Sequence, residues 1–174
     1  MSRLRHPGWA LLLAVAGLAA PLRARAIEPV DELSLKAAIA YNLLLFTQWP
    51  DEASWPPGNP LVVCADPSGR WWSALQAMQD RPIRQARLTL RAPGRSAEGL
   101  AACHVVLLDG GLRAGAPGKA QLVFADEGEA ANGWTVRLVR QGAKVVFDVD
   151  LTVARAAHLQ ISSKALRLAR EVVQ

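Results

Sequence analysis

The sequence lacks the clusters of reactive side chains that most enzymes carry. In 174 residues it has three histidines, two cysteines and one tyrosine, and it contains no G-x-S-x-G, H-E-x-x-H or G-x-G-x-x-G motif. The glycine-rich stretch ending at Gly118-Lys119 is not a phosphate loop, because Arg113 replaces its first glycine and Ala120 its serine or threonine. A solvent-exposed connector is the simpler interpretation. These absences favour a protein without catalytic activity and without a bound cofactor.

Metal ligands are equally scarce. Outside the first 26 residues the histidines are His104 and His158, which could form a zinc site only together with Cys64 and Cys103. The spacing of these four residues matches no standard zinc pattern. In addition, Cys103 and His104 would point to opposite sides of a strand. We therefore predict no metal site.

One enzymatic alternative is visible in the sequence. Asp148 and Asp150 share one face of a predicted strand, and paired carboxylates can perform acid–base chemistry. Acids at the end of a strand more often cap the next helix, and Asp150 before LTVARAA fits an N-cap. No nucleophile, base and orienting group converge on this pair or on His104. The capping role is therefore preferred.

The first 26 residues account for most of the excess positive charge. A basic start, the apolar run WALLLAVAGLAA and the ending Ala24-Arg25-Ala26 follow the order of a secretory signal peptide. The apolar run is shorter than the roughly 20 residues of a membrane span. We predict export with cleavage after Ala26, with an uncleaved anchor as the alternative. Removing the four arginines of this segment from the 20 basic residues leaves 16 against 15 acids. Such a nearly neutral domain has no electrostatic surface for nucleic acid.

Residues 27–174 suit a single α/β domain with its own core. Short apolar runs typical of buried strands alternate with helical segments, and the last two strands flank Gln141-Gly142 as a hairpin. We predict a roughly six-stranded mixed sheet flanked by helices. The predicted strands cover 61–65, 86–92, 104–109, 120–126, 133–140 and 144–150, and the predicted helices cover 28–49, 70–79, 97–101, 151–159 and 162–173.

The two cysteines indicate a disulfide. Exported proteins fold in an oxidising compartment, so an even number of cysteines favours a Cys64–Cys103 bridge over two separate buried thiols. A bridge that closes a loop of about 40 residues contributes about 3–4 kcal/mol to stability in the chain-entropy treatment.

The most apolar run after the leader is AAIAYNLLLFTQWP, from Ala37 to Pro50. It is too short for a membrane span and contains Asn42 and Gln48. Its apolar residues extend beyond one helical face. The run therefore predicts a core helix, with a contact to a second copy or a partner as a further possibility.

One loop suits a ligand. It follows the first predicted strand, and ligands of open α/β sheets bind beyond the carboxyl ends of parallel strands. Backbone N–H groups, a guanidinium and two half-exposed indoles could hold a small anionic or aromatic molecule. Packing of either tryptophan into the core is the alternative. The candidate residues are Asp66, Ser68, Gly69, Arg70, Trp71 and Trp72.

Four segments, in order along the chain, resemble the YfiR-type family of periplasmic proteins. KAAIAYNLLLFTQWP is similar to the family's first helix, LVVCA and CHVVLLD are similar to two of its strands, and ISSKALRLA is similar to its ending. The signature residues at the two ends have either a partner-binding or a core role; they are Tyr41, Asn42, Phe46, Trp49, Ile161, Ser162, Lys164 and Leu166.

The resemblance implies a non-enzymatic periplasmic protein that represses an inner-membrane diguanylate cyclase by binding its periplasmic part. Repression lowers cyclic di-GMP and biofilm formation. The resemblance also implies an outer-membrane lipoprotein partner, a homodimer, and a structural disulfide carried by Cys64 and Cys103. The competing hypothesis is a periplasmic small-molecule binding protein that uses the loop from Asp66 to Trp72, and both roles can coexist if a ligand tunes regulation.

Overall fold

The computed structural model describes residues 31–50, 56, 58–94, 97–109, 112, 120–128 and 133–174. The predicted signal segment with its cleavage site lies outside the described residues, and so does the glycine-rich connector apart from Asp109 and Leu112.

Five helices and ten strands follow one another along the described residues. The helices are α1 (Glu32–Leu45), α2 (Trp71–Gln76), α3 (Ala97–Ala101), α4 (Leu151–Ala156) and α5 (Ser163–Leu166). The strands are β1 (Thr47–Gln48), β2 (Pro60–Cys64), β3 (Pro82–Ile83), β4 (Ala86–Arg91), β5 (Val105–Leu107), β6 (Leu122–Asp126), β7 (Val136–Gln141), β8 (Lys144–Asp150), β9 (Gln160–Ile161) and β10 (Glu171–Val173).

Eight strands form one mixed sheet in the order β10-β8-β7-β6-β5-β2-β4-β3. The five central strands from β7 to β4 are parallel, whereas β8 and β3 run antiparallel to their neighbours β7 and β4. β10 pairs in parallel with β8, and β1 and β9 form a separate antiparallel pair. The predicted mixed α/β domain and its hairpin are confirmed. The structure has more strands than the six predicted, because strands of only two or three residues are too short to appear as apolar runs in the sequence.

The sheet carries apolar clusters on both faces. Along β5, Val105 and Leu107 belong to the larger cluster and Val106 to the smaller one, as the two-residue period of a strand requires. Helices α1 and α2 pack on the larger cluster. The cysteines belong to the smaller one.

The predicted last helix, residues 162–173, is wrong over most of its length. Helix α5 ends at Leu166, and the chain then forms β10 beside β8. The backbone N–H of Arg170 donates to the Phe147 carbonyl at 2.8 Å, which starts this pairing. Helical propensity is a weak preference that tertiary contacts override, and here the open edge of β8 supplies the contact.

Helix α1 buries one face against the sheet and leaves another open. Asp31 caps its start, since the Asp31 carboxylate accepts from the Ser34 N–H at 3.1 Å. The side chains buried against the sheet are Lys36, Ala37, Ala40, Leu43 and Leu44. The outward side is unusually apolar, with Leu35, Leu45 and Phe46 more than a third exposed. The predicted core role is therefore confirmed for one face only.

Arg84 holds the carboxyl end of α1. Its guanidinium donates to the carbonyls of Leu44 (3.3 Å), Leu45 (2.9 Å) and Thr47 (2.7 Å). It also lies 5.9 Å from the centre of the Trp49 ring. A cation that satisfies the last carbonyls of a helix complements the negative end of the helix dipole.

We expect Arg84→Ala to lower the free energy of unfolding by about 2 kcal/mol, because it removes charge-assisted hydrogen bonds to three carbonyls. Denaturant unfolding followed by circular dichroism measures the loss. Arg84→Lys is the matched control: it keeps the charge but not the planar fork, and we expect about half the loss. A change below about 0.5 kcal/mol for the alanine variant, typical of an ordinary surface substitution, contradicts the capping role.

Candidate functional site

Three carboxylates lie at the carboxyl edge of the parallel strands. Asp66 follows β2, Asp109 follows β5, and Asp126 is the last residue of β6. Asp109 and Asp126 are buried, and Asp66 is half-buried. Buried carboxylates persist only where cations or N–H groups pair with them, so the partners of these acids decide what the edge can do.

Two cations pair with these acids. The Lys36 ammonium lies 2.6 Å from both Asp126 and Glu32. Burial by itself would lower the pKa of Lys36, but its hydrogen bonds to Asp126 and Glu32 outweigh burial and raise this pKa. Arg70 reaches Asp126 at 3.2 Å and Asp109 at 3.6 Å. The paired charges tie α1 and the loop before α2 to the sheet edge.

Several polar groups in and beside the predicted ligand loop already have hydrogen-bond partners within the protein. The Asp66 carboxylate accepts from the N–H and hydroxyl of Ser68 at 2.9 and 2.7 Å. The Asp109 carboxylate accepts from the Trp71 N–H at 3.2 Å. Gly69 fits against the same acid so closely that a Cβ atom would lie 2.7 Å from a carboxylate oxygen. A side chain at position 69 would therefore displace the Asp109 carboxylate.

The two tryptophans of this loop have different surroundings. Trp71 is 1% exposed and belongs to the main core, so it is not one of the half-exposed indoles that the ligand hypothesis requires. Trp72 is half-buried, and the Arg70 side chain is 57% exposed. Packing of one tryptophan into the core is the alternative that the sequence left open. Binding of a small molecule by the rest of the loop stays a proposal.

An apolar cavity lies under α1 instead. It is small, and no residue from Asp66 to Trp72 lines it. Its walls come from α1, α2 and the sheet, and among the described lining residues Tyr41 is the one whose side chain carries an oxygen or nitrogen atom; these residues are Ala37, Ala40, Tyr41, Leu44, Val63, Leu75, Met78, Leu88, Val105, Leu107 and Phe124. Tyr41 donates its hydroxyl to the Pro82 carbonyl at 2.6 Å, so that polar group is already occupied.

Cys64 and Cys103 form the predicted disulfide. The bridge joins the end of β2 to the residue two positions before β5, and both cysteines are buried. The Arg91 guanidinium lies 3.7 Å from the Cys103 sulfur and donates to the Gly99 carbonyl at 3.1 Å. The bridge thus fastens the α3 segment to the face of the sheet opposite α1.

His104 has a structural role beside this bridge. Its Nδ1 accepts a hydrogen bond from the Val62 N–H at 3.0 Å, which requires this nitrogen to be unprotonated. Burial and the nearby Arg91 cation lower the pKa of His104. Within the described residues, no group of three or more His, Cys, Asp or Glu side chains could hold a metal ion.

We expect the protein to lose stability as the pH falls below about 6.5, the value for an unperturbed histidine. The folded-state pKa of His104 lies below the unfolded value, so the unfolded chain takes up the proton first and gains from it. His104→Gln removes this contribution. The thermal unfolding midpoint should therefore fall more steeply with decreasing pH in wild type than in this variant. Parallel pH profiles for the two proteins contradict the role assigned to His104.

Asp148 and Asp150 have separate structural roles rather than one acid–base role. Asp150 accepts from the N–H groups of Thr152 and Val153 at 2.8 and 3.0 Å, which confirms the predicted N-cap of α4. Asp148 is fully buried and bound by the guanidinium groups of Arg137 and Arg170. Arg137 sits opposite Asp148 in the β7–β8 hairpin register, so the hairpin pattern could have revealed this pair. No local sequence pattern predicted that Arg170 would also bind Asp148.

The two predicted signature segments meet in space. Thr47 pairs with Ile161 through β1 and β9, and the Ser162 N–H donates to the Phe46 carbonyl at 2.9 Å. Ser162 also caps α5. The carboxyl end of α1 therefore adjoins the start of α5, although more than 100 residues separate them in the sequence.

The signature residues divide into a buried frame and an exposed surface. Trp49 is buried, and the partly buried Tyr41, Ile161 and Leu166 also pack against the core. Asn42, Phe46 and Lys164 are exposed. We call the exposed surface around this meeting point the α1–α5 junction; its residues are Leu45, Phe46, Lys164, Arg167 and Leu168.

The comparisons with known proteins agree with these observations. The family model described as YfiR/HmsC-like matches residues 33–170, which is most of the chain. A search among curated proteins found no match. None of the helices in the described part of the chain combines the length and the apolar character that a membrane span requires.

Proposed function

Because the chain belongs to the YfiR/HmsC-like family, we propose that it is a periplasmic regulator that represses an inner-membrane diguanylate cyclase. It acts without catalysis, by binding the periplasmic part of the cyclase. Repression lowers cyclic di-GMP and biofilm formation. An outer-membrane lipoprotein that competes for the regulator would relieve repression.

The observation that carries this proposal is the family match, which includes both signature ends. Two structural features support it. The buried disulfide suits an exported protein, because such bridges persist in oxidising compartments. The buried charged side chains of the sheet edge and of β8 are engaged in structural pairs, which leaves the outer surface to carry the function.

Repression requires that the regulator bind one state of its target better than another. A ligand with equal affinity for two states shifts nothing, however tightly it binds. The regulator therefore needs a surface that fits the inactive arrangement of the periplasmic domain of the cyclase. A rigid binding surface is favoured, because ordering a flexible segment would use up part of the binding free energy.

Cellular cyclic di-GMP tests the proposal. Deletion of the gene should raise it, and overproduction of the exported protein should lower it. A form that lacks residues 1–26 and stays in the cytoplasm is the matched control, and it should leave cyclic di-GMP at the deletion level. Equal cyclic di-GMP in the deletion, wild-type and overproducing strains would falsify the regulatory function.

A small-molecule binding role is the second candidate. The observation that favours it is the exposed Arg70 guanidinium beside the half-buried Trp72 at the carboxyl edge of the parallel strands. Arg70 already pairs with Asp109 and Asp126, so an anion would have to compete with two carboxylates. Tryptophan fluorescence of the wild type and of Trp72→Phe, titrated with candidate ligands, measures this binding.

A further inference from the structure

Leu168 is the most exposed of the large apolar residues in the described part of the chain, with 72% of its surface accessible. It lies on a turn between α5 and β10 that is fixed by backbone hydrogen bonds. The Leu168 N–H donates to Ala165 at 2.9 Å, and the neighbouring Arg167 and Arg170 N–H groups donate to Ser163 and Phe147 at 3.1 and 2.8 Å. A rigid turn that displays a leucine to solvent is pre-organised for contact.

Cations flank this leucine. Lys164 and Arg167 are exposed and lie three residues apart on one helical turn, which makes them neighbours. Neither side chain forms a hydrogen bond or ion pair with another described residue, whereas Arg170 is bound to Asp148. The surrounding segment contains one acid, Glu171, so the charge beside Leu168 is mainly positive.

The excess of positive charge continues along the chain from α4 onward. From residue 151 onward the basic residues are Arg155, Lys164, Arg167 and Arg170, and the one acid is Glu171. Arg170 is paired with Asp148, whereas Arg155, Lys164 and Arg167 are exposed. This part of the protein therefore favours contact with a negatively charged surface.

Further apolar surface adjoins the start of α5. Leu45 and Phe46 at the end of α1 are each 37% exposed, and Phe46 accepts a hydrogen bond from the residue that caps α5. Helix α5 has four residues and is therefore about 6 Å long. Apolar side chains with cations among them are the composition of an interface in which charge sets orientation and burial stabilises contact.

We propose that the α1–α5 junction binds an acidic protein surface that offers an apolar pocket to Leu168. The inference rests on the proposed function, and the partner is the periplasmic part of the regulated cyclase. A second copy of this chain fits less well, because two junctions would bring Lys164 and Arg167 against their own equivalents. A membrane also fits less well, since two unpaired cations contribute only about 1 kcal/mol each at an anionic surface.

Two substitutions remove the features that the interface needs. Leu168→Ser removes the exposed apolar side chain, and Arg167→Glu reverses the adjacent charge. Lys144→Glu is the matched control, because Lys144 is also exposed and forms no side-chain pair with another described residue, but lies at the β7–β8 turn. All three positions lack stabilising side-chain contacts, so thermal unfolding of each purified variant should match the wild type.

The experiment compares repression and direct binding. In a deletion strain, wild type and Lys144→Glu should restore low cyclic di-GMP, whereas Leu168→Ser and Arg167→Glu should leave it high at equal protein levels. Binding to the purified periplasmic part of the cyclase should weaken about tenfold for each of these two variants. Raising the ionic strength from about 0.05 M to about 0.5 M should weaken wild-type binding more than Arg167→Glu binding.

Each other outcome overturns the inference in a recognisable way. If both junction variants repress fully, the junction is not the binding surface, and the proposed function still stands. If the wild type does not repress, both the junction inference and the proposed function are wrong. Loss of a wild-type dimer in the junction variants, seen by sedimentation, assigns the surface to a second copy. Binding of wild type alone to vesicles that contain phosphatidylglycerol assigns it to a lipid surface.

Discussion

Replacing Asp148 by asparagine is expected to lower the free energy of unfolding by about 3 kcal/mol. The carboxylate is fully buried, and Arg170 binds both of its oxygens, at 2.8 and 2.5 Å. Arg137 donates to the same carboxylate at 3.0 Å and also lies 4.7 Å from the centre of the Trp134 ring. An amide has nearly the same shape but no charge, so two guanidinium groups lose their anion. Because both arginines are partly exposed and regain water, we expect the lower end of the range for a broken buried pair.

Asp150→Asn is the matched control on the same strand face. Asparagine caps helices about as well as aspartate, so the α4 cap survives and the expected change is a few tenths of a kcal/mol. Urea unfolding of the wild type and both variants measures the two effects. Equal losses for the two substitutions would mean that the Asp148 charge makes no special contribution.

The contribution of Asp148 also has a defined pH dependence. Burial by itself would raise the pKa of Asp148, but hydrogen bonds from Arg170 and Arg137 outweigh burial and lower this pKa below 3.8. A lowered folded-state pKa adds stability that is complete above the unfolded value and is lost as pH falls through the folded value. The stability difference between wild type and Asp148→Asn should therefore persist at neutral pH and shrink only below about pH 4.

Removing the disulfide is expected to cost about 4 kcal/mol. Cys64 and Cys103 lie 39 positions apart, so the bridge closes a long loop in the unfolded chain. It also holds together β2 and the segment before β5, whose strands pair directly in the sheet. The double substitution Cys64→Ala and Cys103→Ala should lower the unfolding midpoint in denaturant, and the wild type in reductant should show the same loss.

The double variant supplies its own control, because its stability should not respond to reductant. Alkylation of the native, unreduced wild type should modify neither cysteine. Modification of both thiols without reductant would show that the bridge is absent from the exported protein. A bridge present in wild type whose removal has no effect would assign its role to function rather than stability.

Much of the central fold could be predicted because its signals are contiguous. The apolar runs of β2, β5 and β6 and the alternation of β4 are local patterns, and the turn between β7 and β8 lies between two such runs. The short strand β10 could not be predicted, because its residues also fit a helix and only the free edge of β8 makes the strand favourable. Similarly, helical spacing alone left open whether Trp71 or Trp72 would be buried.

The sequence by itself determined the α/β class, the cysteine pair, the cap at Asp150 and the resemblance of its two ends to one family. Each depends on residues that are neighbours in the chain, on a count, or on a motif. Only the tertiary structure decided which distant groups meet. The Lys36–Asp126 pair spans 90 positions, and the β1–β9 pairing joins Thr47 to Ile161. Such contacts form because buried charges and buried backbone groups must find partners when the chain folds, and no local pattern records which remote residue will supply them.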